Sequence, residues 1–142
     1  MTNITAQIKN PATIKQIEER SSDKYGSTNN GLINTILDRY FDIIKVGTRE
    51  LREFTDAEKN LLCDICNGTI FDPFGMVLEN NAVLIQFEDT LDLYGNQFNE
   101  KWDTDGDELK TKLENLSKTG QIALIDFIEK FWNTNTEVSG EE

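Results

Sequence analysis

The chain has 142 residues, two cysteines and no histidine, with 14 Lys/Arg against 26 Asp/Glu for a formal net charge of −12. The lack of His removes the commonest general base, and with no Gly-rich phosphate loop, nucleophile elbow or metal-ligand set in view, the expectation is a non-enzyme without cofactor or metal. No apolar run approaches the ~20 residues of a membrane span and no basic-then-apolar secretory segment opens the chain, so a cytoplasmic protein without membrane contact is expected.

The charge is unevenly divided. Residues 1–50 hold seven Lys/Arg against six Asp/Glu, whereas residues 51–142 hold seven against 20. Only the first part is compatible with DNA, and before Glu18 it carries Lys9 and Lys15 with no acid at all. An acidic remainder repels DNA over about a Debye length, ~8 Å at physiological salt, and would suppress non-specific binding.

In chain order, the first signal is Asn3-Ile4-Thr5-Ala6-Gln7-Ile8-Lys9, which alternates apolar and polar residues as a strand does: Ile4, Ala6 and Ile8 on one face, Thr5, Gln7 and Lys9 on the other. No second strand signal lies near it. Its simplest partner is therefore the same segment of a second copy, which would form a two-stranded antiparallel ribbon of a size that fits a DNA major groove. Pro11 then marks the opening of a helix running to about Tyr25, with a thin apolar face of Ile14 and Ile17, and Gly26 supplies a permissive helix end. Ser27-Thr28-Asn29-Asn30 follows as a capping run. The second helix has the strongest periodicity in the chain, with Ile33, Ile36, Leu37, Tyr40, Phe41 and Ile44 at i, i+3, i+4, i+7, i+8 and i+11. Gly47 is the expected stop.

Strand, Pro, Gly turn, cap and amphipathic helix in this order resemble the ribbon-helix-helix (Arc/MetJ/CopG-like) DNA-binding family over residues 3–46. The resemblance implies a homodimer whose core is Ile4, Ala6, Ile8, Ile33, Ile36, Leu37, Tyr40, Phe41 and Ile44. It implies base contacts from Thr5, Gln7 and Lys9, and phosphate contacts from the start of the second helix at Thr28, Asn29 and Asn30. The side chains suit those roles: Gln pairs bidentately with adenine, Lys favours guanine acceptors, and Thr offers a hydroxyl or a methyl.

Beyond Thr48, Thr55-Asp56-Ala57-Glu58 has the spacing of a capping box, opening a helix through about Asn67 closed by Gly68. It contains Cys63-Asp64-Ile65-Cys66. With no His and no second Cys pair, the usual zinc sets cannot be completed in one chain, which leaves buried thiols as the main reading and a zinc bridging two subunits as the alternative. After a loop at Asp72-Pro73-Phe74-Gly75, residues 79–94 read as a helix, although Ala82-Val83-Leu84-Ile85 also suits a buried strand. Asp103, Asp105, Asp107, Leu109, Thr111 and Glu114 have calcium-loop spacing, but Gly106 stands two steps too early for the sharp turn such a loop needs, and helix capping by Asp105-Gly106-Asp107 explains the acids. That helix carries Leu109, Leu113 and Leu116. Ser117 caps the last helix, with Ile122, Leu124, Ile125, Ile128, Phe131 and Trp132 as its apolar positions. This half resembles regions of bacterial proteins with a similar capped helix ending in Asn-Gly and a closing Phe-Trp, a resemblance that implies no activity.

The expected architecture is mostly α: a ribbon-helix-helix domain at 1–47, an acidic all-helical domain at 48–132 and a disordered acidic tail at 133–142. The expected function is a site-specific DNA-binding homodimer, a transcriptional repressor or autoregulator, with dimers placed side by side on repeated sites. The alternative is an antitoxin or acidic interaction inhibitor whose C-terminal half binds a basic protein partner.

Overall fold

The structure, a computed structural model, describes residues 7–20, 29–66 and 79–140. The chain divides into two compact units, Met1–Asp42 and Ile43–Glu142, with the division falling inside the helix Asn29–Glu50.

Among the described residues there is no β-strand, which overturns the ribbon-helix-helix fold expected for the N-terminus. Gln7, Ile8 and Lys9 are exposed and outside regular structure, and Ile4, Thr5 and Ala6 lie outside the described residues. The physical reason is that alternation belongs to one segment, whereas a strand is a property of a pair. The described elements that follow are helices, and a helix offers no free backbone edge.

In the first unit, α1 (Pro11–Arg20) starts at Pro11, whose missing N–H leaves nothing unsatisfied in a first turn. Asn10 caps it, its side-chain oxygen accepting from the Ala12 N–H at 2.9 Å. Ile17 is its one buried residue, in keeping with the thin apolar face. Tyr25, Gly26 and Thr28 lie outside the described residues. Helix α2 (Asn29–Glu50) follows, and its residues through Asp42 belong to this unit. Leu32 is fully buried, and Ile8, Ile14, Ile17, Glu18 and Ile33 border a hollow of about 100 Å³.

The second unit begins with the last turns of α2. Gly47 does not end this helix. It is buried within it because the opening of the last helix, α7 (Lys118–Gly140), passes directly against it: a Cβ there would stand 2.1 Å from the Thr119 carbonyl oxygen and 2.8 Å from the Ala123 Cβ. The same crossing is fastened by Glu50, whose carboxylate accepts from the Ser117 N–H at 2.9 Å, from the Ser117 hydroxyl and from the Thr119 hydroxyl at 3.3 Å. Ser117 in turn accepts from the Gly120 N–H, the capping role expected of it. A carboxylate at a helix N-terminus is stabilised by the free N–H groups and the helix dipole.

A 3₁₀ turn at Leu51–Glu53 leads to α3 (Asp56–Ile65), which has the expected capping box: Glu58 N–H donates to Thr55 Oγ1 at 3.1 Å and Thr55 N–H donates to Glu58 Oε1 at 2.8 Å. Residues 82–85 are helical, resolving the strand alternative: α4 (Ala82–Tyr94) is capped by Asn81, which accepts from Leu84 N–H and donates to the Leu113 carbonyl at 3.0 Å. A 3₁₀ turn at Gly95–Gln97 and the short α5 (Phe98–Trp102) precede α6 (Gly106–Glu114), capped by Asp105 as expected. The core is Leu61, Leu62, Val83, Phe87, Phe98, Leu109, Leu113, Leu124 and Ile128, with Phe87 and Phe98 edge-to-face at 5.4 Å. The sequence reading closed the last helix at Trp132; α7 continues to Gly140.

Within this core Glu58 is only 5% exposed and ties α3 to α6 by accepting from Lys112 Nζ at 2.7 Å. That hydrogen bond, against the opposing effect of desolvation, holds the Lys112 ammonium above its ordinary value.

Two outcomes are expected. Gly47→Ala should destabilise the second unit by about 2 kcal/mol despite the better helix propensity of Ala, because backbone rather than a movable side chain blocks the new methyl; chemical denaturation measures this. For Glu50, burial raises the carboxyl and the hydrogen bonds from Ser117, Thr119 and Gly120 outweigh it, so the folded value lies below 4.5. Its contribution is therefore complete above that pH and lost as pH falls through the lowered value. Glu50→Gln should lower Tm at pH 7, and its difference from wild type should shrink as pH falls through the lowered Glu50 value.

Candidate functional site

Of the residues expected to contact bases, Gln7 and Lys9 are exposed and Thr5 lies outside the described residues. Of the expected phosphate contacts, Asn29 is the first residue of α2, Asn30 is exposed and Thr28 lies outside.

Of the expected dimer core, Ile33, Ile36, Leu37, Tyr40 and Phe41 share one face of α2 within the first unit, while Ile44 lies beyond its boundary and Ile4 and Ala6 outside the described residues. Ile33 and Tyr40 are half-buried. Ile36, Leu37 and Phe41 are 45%, 47% and 60% exposed, and the Phe41 ring meets Tyr40 edge-to-face at 5.4 Å. Such a cluster on one helix face departs from the scattered apolar residues of ordinary surfaces.

The two cysteines are fully buried, and burial pushes Cys63 up to about 11 and Cys66 up to about 12, the latter also raised by Cys63 beside it. Both are therefore protonated at neutral pH, whereas the thiolate is the metal ligand and the nucleophile. Trp132 closes over this helix, its Nε1–H donating to the Cys63 carbonyl at 2.7 Å. Among the described residues no group of three or more Cys, Asp or Glu is arranged to hold a metal ion. The calcium-like spacing is absorbed by local structure: Asp105 Oδ1 accepts from Asp107 and Glu108 N–H, and Asp103 adopts the left-handed conformation, φ 49°, that ends α5.

One constellation escapes the sequence reading. The Tyr94 and Trp102 rings meet edge-to-face at 4.9 Å, and Lys101 Nζ lies 5.2 Å from the first centroid and 5.1 Å from the second. Trp102 is fixed from two sides, by its Nε1–H donating to Asp64 Oδ2 at 3.1 Å and by the buried Phe98 ring at 4.8 Å. Tyr94, Gln97, Glu100 and Lys101 border an open hollow of about 460 Å³. The available signal was a Leu-Tyr and a Lys-Trp in an acidic stretch, but only the fold of α4 onto α5 joins them.

No protein-family model, curated protein or solved structure matches the chain. Among the described residues no helix is long and apolar enough to cross a membrane.

The thiol environment gives a direct expectation. In the native protein both cysteines should react with a disulfide reagent at pH 7.5 at least about a hundredfold more slowly than in denaturant, since reaction requires opening of the core. Fast native labelling of either would contradict the burial described.

Proposed function

We propose that the chain works as a cytoplasmic homodimer that binds double-stranded DNA and regulates transcription, associating through the apolar face of α2 in the first unit. The observation that supports the dimer is the exposure of Ile36, Leu37 and Phe41 beside the half-buried Ile33 and Tyr40. A second copy suits this face electrostatically. Residues 1–42 carry five Lys/Arg and five Asp/Glu, so two such units meet without net repulsion. Burying a large apolar side chain fully is worth about 1.5–3 kcal/mol, so three side chains per copy, each about half uncovered, give roughly 4–9 kcal/mol before the cost of association is subtracted, and the dimer is weak and concentration-dependent.

DNA as the ligand rests on the exposed segment with Gln7 and Lys9, part of a stretch that carries Lys9 and Lys15 and no acid before Glu18. A dimer doubles such weak contacts, and phosphate contacts make the binding salt-dependent. The test is a bandshift with DNA upstream of the chain's own gene across a salt series, paired with sedimentation. Wild type should dimerise and shift the DNA. Leu37→Glu with Phe41→Glu should stay helical, sediment as a monomer and lose the shift. Gln7→Ala with Lys9→Ala should keep the dimer, weaken binding and make its salt dependence shallower. A monomeric wild type, or a shift unchanged in both variants, would reject the reading.

A second reading has its own observation. The net −13 of residues 51–142 favours a basic protein partner for the second unit, as an antitoxin-like inhibitor would need.

A further inference from the structure

The stretch 79–108 holds nine Asp/Glu and a single cation, Lys101, and that cation stands over the Tyr94 and Trp102 rings. Aromatic faces attract cations through the ring quadrupole, most strongly with Trp, and neighbouring acids raise the local concentration of positive groups. The site has three parts. The ring pair is anchored by Asp64 and Phe98. The hollow beside it is bordered by Glu100. Leu93, the residue before Tyr94 in α4, is 78% exposed and leaves an apolar side chain uncovered at the margin of the site rather than in the hollow's lining.

We propose that the Tyr94–Trp102 pair, with Glu100 and Leu93, is a docking site for a basic, partly apolar protein segment, whose Arg or Lys takes the position over the rings that Lys101 occupies in the free chain. The proposal gives the basic-partner reading a place on the molecule and rests on that reading, independently of DNA binding. Lys101 shows the rings accepting a cation, and the acidic stretch sets the sign of the partner. Leu93 favours a peptide over a bare polyamine. On release Lys101 returns to solvent, where an ammonium is well hydrated, so its displacement is cheap. An Arg in its place adds planar stacking on the rings and charged hydrogen bonds to Glu100 that the resident Lys101 does not make in the free chain.

The test uses the full chain and a blocked nonapeptide of three Arg-Gly-Leu repeats, with a Glu-Gly-Leu counterpart, in titration calorimetry at two salt concentrations. Wild type should bind the Arg peptide and ignore the Glu peptide. Lys101→Ala removes the internal competitor and should tighten binding about three- to tenfold. Lys110→Ala removes the same charge from α6 and should change binding less than about twofold. Tyr94→Leu should weaken binding about fivefold, and Tyr94→Phe, which keeps the ring, should bind as wild type. Should Tyr94→Leu fail to fold, the contrast between Lys101→Ala and Lys110→Ala still decides. Equal effects of the two lysine variants, or binding indifferent to Tyr94→Leu in a folded protein, would overturn the site while leaving a basic partner in place. No binding of the Arg peptide by wild type would overturn both.

Discussion

Helix α2 carries a broader apolar face than the described residues of its own unit cover, and the proposed dimer follows from that imbalance. A 22-residue helix with six large apolar residues on one arc is stable in water only if the arc is buried. Leu32 and Ile17 find cover, but α1 has too few apolar residues to shield Ile36, Leu37 and Phe41 as well. Charge decides what can lie there. The first unit is neutral, so like can meet like, whereas two copies of the acidic unit would repel each other.

The second unit is held by different means. Its core is an ordinary apolar cluster, but polar ties at three points set how the helices cross. Glu50 caps α7 from the end of α2, Glu58 both boxes its own helix start and binds Lys112, and Asn81 caps α4 while reaching the end of α6. Each uses a group that a helix terminus leaves unsatisfied, or pairs a buried charge that would otherwise be costly. Gly47 belongs to the same crossing, because only a residue without a side chain lets the Thr119 carbonyl come so near. These ties form a scaffold that leaves Tyr94, Lys101 and Trp102 at the surface of α4 and α5.

Much of the second unit was legible in the sequence, because capping is local: Thr55 with Glu58, Asp105, and Ser117 were found from spacing over three residues. The periodicity of α2 was equally plain, since helical repetition needs no partner to be seen. Three features were not legible. The N-terminal alternation predicted a strand, yet pairing depends on a second backbone that no single segment encodes. Gly47 read as a stop because glycine commonly ends helices, whereas its role depends on a carbonyl 72 positions away in the chain. The ring pair at Tyr94 and Trp102 is assembled only when α5 folds back on α4, and no local pattern announces it.

The central claim, that α2 meets α2 of a second copy, is tested most directly by isotope-filtered NMR on an equimolar mixture of labelled and unlabelled chains. The expected result is contact between the Leu37 methyl groups of one copy and the Phe41 or Tyr40 ring of the other, growing with protein concentration. A mixture that associates without any α2-to-α2 contact, or that remains monomeric at millimolar concentration, would contradict it.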